Sequence, residues 1–158
     1  MVIAPHEPTS AHLEPIERWA AEHAVTLARL DAPAARSAEV VLVDRVGVLG
    51  DLYALADAAY VGGGFHSAGL HSVLEPAAFG APVAFGPRFA TSRDARLLDE
   101  SGGGAHARDA AELARILSEW LGDRSARERA GGKARDIVRS GLGAAERSSA
   151  LVERLLFG

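Results

Sequence analysis

Between residues 62 and 76 the chain reads GGGFHSAGLHSVLEP. Three glycines lead to His66, His71 and Glu75, and the stretch sits between an apolar run ending at Val61 and a predicted helix over Leu74–Phe79. A spacing of four lets His71 and Glu75 share the first turn of that helix. In that place a histidine can hydrogen-bond a phosphate or carboxylate, while a glutamate can accept from ribose hydroxyls. The plainer alternative is a local hydrogen-bonded cap, because a carboxylate in a helix's first turn is stabilising without any function. Zinc is a poor third, since H-x-x-x-E lacks a third ligand beyond the nearby His66, which reads as loop decoration.

The glycines suit an anion. Gly62, Gly63 and Gly64 let backbone N–H groups approach a ligand with no Cβ in the way. The helix start near Ser72, Val73 and Leu74 offers free N–H donors and about half a positive charge. Glycine-rich βα loops are nonetheless common, and many bind nothing. The run does not fit G-x-G-x-x-G with an acidic residue about 20 positions later, because Asp57 precedes it. A nicotinamide dehydrogenase is therefore disfavoured.

The elements that must position this loop alternate between strand and helix signals, which predicts βα units around a parallel sheet. Strands are predicted at Val2–Ala4, Val25–Leu30, Val40–Val43, Ala59–Val61, Pro82–Phe85 and Ala105–Ala107. The run Val40–Val43 is apolar throughout, as suits a strand covered on both faces. Helices are predicted after a Ser10 cap, over Leu52–Ala59, over Leu74–Phe79, from a Thr91/Asp94 capping box through Glu100, and after Asp109 with Glu112. The segments Arg124–Ser140 and Ala144–Phe157 also read as helical. Gly131-Gly132 weakens the first of these by about 1 kcal/mol per glycine. The prediction is a single domain over 1–158, its sheet within about 1–108 and a helical tail over about 109–158. The loops after Val43, Val61 and Phe85 fall beyond the carboxyl ends of strands, where open parallel sheets bind ligands.

Composition narrows the classes. The chain has 158 residues, 48% hydrophobic and 24% charged, with a net charge of −4. That gives no nucleic-acid footprint. It has no cysteine, so neither disulfides nor a thiolate metal site can form. No apolar run approaches the roughly 20 residues of a membrane helix, and no signal-peptide pattern opens the chain. Met1-Val2-Ile3-Ala4-Pro5 opens directly on a predicted strand, as a chain cut from a longer one would.

Three segments together carry a family resemblance. Val61–Pro87, VGGGFHSAGLHSVLEPAAFGAPVAFGP, resembles the carboxy-terminal domain of the Kdo transferases. Kdo is 3-deoxy-D-manno-octulosonic acid, and these are GT-B glycosyltransferases of lipopolysaccharide synthesis. The family pattern there is a GG pair, then G-x-H-N-x-L-E, a short helix and PV-x-x-GP. It is matched by Gly69-Leu70-His71-Ser72-Val73-Leu74-Glu75, Pro82-Val83 and Gly86-Pro87. One unit earlier, Asp44-Arg45-Val46-Gly47-Val48-Leu49 with Tyr53 is similar to D-T-x-G-x-L-x-x-x-Y. Ala4-Pro5-His6-Glu7 is similar to A-P-R-H or A-P-H-E. The resemblance runs from about Ile3 to Gly104, with three motifs on successive loops. It departs at Ser72 for asparagine, Arg45 for threonine and Val48 for a frequent glutamate, which leaves the donor less certain than the fold.

The resemblance implies a Rossmann-like α/β domain, three layers around a parallel sheet, forming one half of a GT-B fold. It implies a donor half that binds CMP-Kdo or a related nucleotide-sugar. The acceptor half, with the catalytic base and the membrane-associating surface, would lie upstream of Met1. No catalytic residue, metal or cofactor is then expected here. The donor residues implied are His6 and Glu7 bordering the cleft, and Gly47 lining the nucleotide. Gly62, Gly63 and Gly64 allow the close turn, and the N–H groups of Ser72, Val73 and Leu74 face the phosphate. His71 supports the phosphate or Kdo carboxylate, Glu75 accepts from the ribose, and Arg88 pairs with an anion. A solvated surface arginine is an equal alternative for Arg88. The full protein would work at the cytoplasmic face of the inner membrane.

Two other readings stay open. The same fold with a UDP- or GDP-linked sugar would use the same features. A stand-alone interaction module would keep the fold without the chemistry. Truncation could also drive dimerisation through the last helix, with Leu151, Val152, Leu155, Leu156 and Phe157.

Overall fold

The computed structural model describes residues 1–67, 69–142, 152 and 154–156. The chain forms two compact units, Met1–Asp51 and Leu52–Gly158.

The first unit holds β1 (Val2–Ile3), α1 (Ser10–Glu22), β2 (Leu27–Arg29), a 3-10 turn at Pro33–Arg36 and β3 (Val40–Leu42). Its sheet runs β1-β3-β2 and is parallel throughout, with Val2 beside Val41 and Leu27 beside Val40. The apolar run at Val40–Val43 becomes the central strand because both its neighbours pair with it. Val40, Leu42 and Val43 are buried with Leu13 and Ala20 of α1 and Ala28 of β2. Thr9, not Ser10, caps α1, and its carbonyl accepts from the N–H of Leu13 at 2.9 Å. The Thr9 hydroxyl makes no cap bond and lies 3.3 Å from Nδ1 of His12.

A short helix, α2 (Leu49–Leu52), and a 3-10 turn at Tyr53–Leu55 replace the single helix predicted over Leu52–Ala59. Ala56 turns to an extended backbone, and β4 (Ala59–Val61) takes the rest. The second unit continues with α3 (Leu74–Ala78), β5 (Val83–Phe85), α4 (Arg93–Ser101), β6 (Gly104–His106), α5 (Ala110–Gly122) and α6 (Arg124–Gly141). Its sheet, β4-β5-β6, is also parallel. The predicted parallel α/β class is therefore present, with the strands divided into two three-stranded sheets rather than one.

β5 explains the layering of the second unit. Val83, Ala84 and Phe85 are fully buried. Val83 and Phe85 pack with Val73, Ala77, Ala95, Leu98 and Ala134, while Ala84 between them packs with Ala107, Ile116, Trp120 and Ala130. Alternate residues of a strand face opposite sides, so helices cover both faces and make three layers.

Capping residues set the helix starts. Ser92, one past the predicted Thr91, accepts from the N–H of Ala95 at 3.2 Å. Asp109 accepts from the N–H of Glu112 at 2.8 Å, and Asp123 from that of Ala126 at 3.0 Å. Glu112 itself reaches Nε and the backbone N–H of Arg108, at 2.8 and 2.9 Å. The side-chain bond and then the backbone bond pull its carboxyl down to about 2. A depressed carboxyl adds stability above its ordinary range and loses it as pH falls through that range toward 2.

The predicted helix at Ala144–Phe157 lies outside the described residues except for Val152 and Arg154–Leu156, which are helical and exposed.

The two glycines of α6 differ. Gly131 is buried, and a Cβ there would overlap the carbonyl oxygen of Gly80, so α6 approaches the α3–β5 turn only because that atom is missing. Gly132 is exposed with open space around it. Thermal unfolding should separate them. Gly132→Ala should raise stability by up to about 1 kcal/mol. Gly131→Ala should lower it by about 1–3 kcal/mol, because backbone atoms must shift. For Glu112, carboxyl-carbon NMR should show Arg108→Ala moving its titration part of the way back up. The bond from the residue-108 N–H would hold the remainder.

Candidate functional site

In the second unit, Val61 lies beside Phe85 in the ladder, so β4 and β5 end level and release two glycine loops side by side. The backbone N–H of Arg88 donates to the carbonyl of Gly64 at 2.9 Å and ties one loop to the other. Gly64 and Gly86 meet at this crossing. A Cβ on Gly64 would stand 2.7 Å from the Gly86 nitrogen and 2.8 Å from its Cα, contacts that real Cβ atoms do not make. Gly63 takes φ +92°, and the N–H of His71 closes the longer loop onto the carbonyl of Gly62 at 3.3 Å. The glycines serve loop-to-loop contact as much as access for a ligand, a role that spacing alone does not reveal.

From His71 the chain enters α3. The helix starts at Leu74 and has five residues, with Val73 as its cap and Glu75 in its first turn. So short a helix has little macrodipole, and any pull on an anion rests on the unsatisfied N–H groups at its start. His71, Ser72 and Glu75 are exposed, and Leu74 is half-buried. Val73 is 2% exposed and packs in the core, so only its backbone can face a ligand. His66 is exposed on the loop.

Tyr53 joins this group. Burial, and after it the nearby charge of Glu75, push its phenol above the ordinary value. Tyr53 was visible only as the last letter of the D-x-x-G-x-L-x-x-x-Y spacing and was not among the predicted site residues. Arg88 is exposed, with no ion pair among the described residues. In this unit the structure brings together Gly62–Gly64 and Arg88 through the loop bond, His71 through the Gly62 carbonyl, and Tyr53 with Glu75.

His6, Glu7 and Gly47 belong to the first unit, on the loops after β1 and β3. His6 and Glu7 are exposed. The Glu7 carbonyl accepts from the N–H of Thr9 at 2.8 Å, and Nδ1 of His12 lies 2.7 Å from it. Gly47 is exposed at φ +87°. Arg45, where the family pattern has threonine, pairs with Asp31, and Asp44 lies 3.7 Å from Arg29.

Two open hollows in the first unit contain none of the predicted residues. One is lined by Leu30, Asp31, Pro33 and Arg36, the other by Met1, Ile3, Pro15, Ile16 and Trp19. The glycine loops after β4 and β5 line neither hollow. Among the described residues no group of three or more His, Asp or Glu could hold a metal ion, and no helix is long and apolar enough to cross a membrane.

Parallel strands, helices on both faces and glycine loops at the carboxyl ends define a Rossmann-like α/β arrangement. A solved structure agrees: the C-terminal CMP-Kdo binding domain of WaaA from Acinetobacter baumannii matches with a TM-score of 0.76. The match covers 87% of this chain and 72% of that one at 23% identity. Among curated proteins, the 3-deoxy-D-manno-octulosonic acid transferase of Aquifex aeolicus is 39% identical over 84 residues, 52% of this chain and 24% of the relative. That of Haemophilus influenzae is 33% identical over 111 residues, 69% of this chain and 26% of the relative. No protein-family model matches. The resemblance carried by the three motifs is borne out: the chain is similar in sequence to Kdo transferases, which are glycosyltransferases. It covers only part of the length of these relatives.

The effect of the Glu75 charge on Tyr53 can be checked without a ligand. Glu75→Gln in a Tyr60→Phe background should lower the phenolate midpoint of Tyr53 in an ultraviolet titration. It should stay above the ordinary tyrosine value, because burial remains. An unmoved midpoint would place the carboxylate elsewhere.

Proposed function

We propose that this chain is the donor-binding part of a Kdo transferase and holds a CMP-linked Kdo for transfer to a lipid A precursor in lipopolysaccharide synthesis. The observation that carries this reading is the crossing of two glycine loops at Gly64 and Gly86, joined by the Arg88 N–H, beside an arginine without an ion pair among the described residues. The unsatisfied N–H groups at the start of α3 and an arginine without an ion pair among the described residues suit a phosphate. The choice of sugar and nucleotide is supported by the similarity to 3-deoxy-D-manno-octulosonic acid transferases and to a CMP-Kdo binding domain.

In this reading the N–H groups of Ser72, Val73 and Leu74 and the Ser72 hydroxyl receive the phosphate. Arg88 neutralises it, and His71 supports it or the sugar carboxylate. Glu75, with Tyr53 beside it, accepts from the ribose hydroxyls. His6, Glu7 and Gly47 are carried as donor-binding residues on the resemblance alone. Transfer is inverting: an acceptor hydroxyl attacks the anomeric carbon of Kdo, and the bond to the phosphate oxygen breaks. Donors aimed at the departing CMP stabilise the charge that builds there. The base and the acceptor site belong to the rest of the enzyme, at the cytoplasmic face of the inner membrane, and this part alone is inactive. It needs neither metal nor redox cofactor. Dimerisation through the last helix stays part of the proposal, and light scattering checks it.

Titration with CMP, UMP and GMP, followed by backbone amide NMR, is the direct test. CMP should shift Gly62–Gly64, Ser72–Glu75 and Arg88 selectively. Arg88→Ala should weaken it by on the order of tenfold or more, as loss of a charge-assisted contact of about 1.5–3 kcal/mol requires. A preference for UMP or GMP would keep the fold and replace the donor. No shift at millimolar nucleotide would count against a site within this chain.

A further inference from the structure

The loop from β5 to α4 carries Arg88, and one side chain anchors it. Between the buried Gly86 and the half-buried cap Ser92, Pro87, Arg88, Ala90 and Thr91 are exposed and Phe89 is half-buried. The Phe89 ring contacts two others. Phe85 lies at 5.1 Å between centroids, and His106 at 5.0 Å with the planes 30° apart. Phe85 is fully buried and held by close packing. His106 sits beside Phe85 at the end of β6 and is 41% exposed at its side chain, so packing alone does not fix its ring.

Asp99 of α4 fixes it. The Asp99 oxygens lie 3.0 and 3.1 Å from Nδ1 of His106, and one of them also accepts the His106 backbone N–H at 3.1 Å. An ionised carboxylate only accepts, so Nδ1 carries the proton of this bond and the ring torsion is set. On its other side the loop is tied by the Arg88 N–H to Gly64, and the Ser92 N–H turns it into α4 through the Phe89 carbonyl at 2.8 Å.

We propose that Asp99 and His106 form a clamp on Phe89 that holds the Gly86–Ser92 loop, and with it Arg88, against Gly64. Both are positioning residues for the anion subsite and do not themselves touch the ligand. The functional half of this inference rests on the donor-binding reading of Arg88; the clamp itself does not. An apolar residue at 106 would fill the same space, but only a group that bonds Asp99 ties the loop's anchor to α4.

Amide hydrogen exchange of the chain without nucleotide tests the clamp. Asp99→Ala and His106→Ala should each speed exchange of the Arg88 N–H by on the order of tenfold, with Ala59 N–H, bonded to Pro82, unchanged. The double variant should add little to either single change, because Asp99 acts through the ring. Asp99→Asn, a milder change, should fall between. His106→Phe keeps a ring on Phe89 and should restore part of the protection. Imidazole nitrogen NMR in mildly alkaline solution should show the Nδ1-protonated tautomer, and Asp99→Ala should erase that bias. Unchanged Arg88 exchange in the single variants would overturn the proposal, as would additive effects or equal loosening at Ala59. An Arg88→Ala variant with undiminished CMP affinity would instead sink the role given to Arg88, leaving the exchange result to judge the clamp.

Discussion

The backbone crossing of Gly64 and Gly86 is the constraint on which the candidate site depends. Two loops leave adjacent parallel strands at the same level, and each needs the space that a side chain on the other would fill. Their contact is main chain against main chain, closed by one hydrogen bond from Arg88 to Gly64. Backbone atoms cannot swing aside as a flexible side chain can. The positions of Arg88, of the Gly62–His71 loop and of the entry to α3 therefore follow from this crossing.

Small residues are used in the same way deeper in the second unit. Gly131 and Ala134 bring α6 against Gly80 and Gly103, where a larger atom would meet backbone. This close seam covers β5, whose three residues are buried on both faces. A strand buried on both faces ends at a defined height, and so the loops that leave it start from a rigid edge. Phe85 contributes to both tasks. It fills the core and supports Phe89, whose other contact is the Asp99-held His106. Polar groups enter where packing stops, at the exposed end of β6.

Much of this was legible in the residues. The parallel α/β class follows from short apolar runs alternating with helical periodicity. The aspartate cap at Asp109 acts as its chemistry dictates. Other features were not legible. The cap of α4 fell on Ser92 rather than Thr91, since neighbouring hydroxyl residues compete and only backbone geometry chooses between them. Gly131-Gly132 read as one helix defect, yet one glycine is a contact and the other is a vacancy, and that difference lies 51 residues away at Gly80. Tyr53 gained a place only because α3 brings Glu75 to it. Asp99 and His106 drew no notice, because a bond between a helix and the next strand leaves no short motif.

The order of strands and helices, the glycine loops at strand ends, the absence of thiol chemistry and the family resemblance were all determined by the sequence alone. They depend on local period, residue type and near spacing, which a linear chain displays directly. The tertiary structure alone decided that the strands divide into two sheets and that the Val73 side chain serves the core, leaving only its backbone for a ligand. It also decided that Arg45 is taken by Asp31, and that two polar side chains brace the Arg88 loop. Each of these turns on which distant atoms occupy the same few ångströms, and packing density, not spacing along the chain, settles that question.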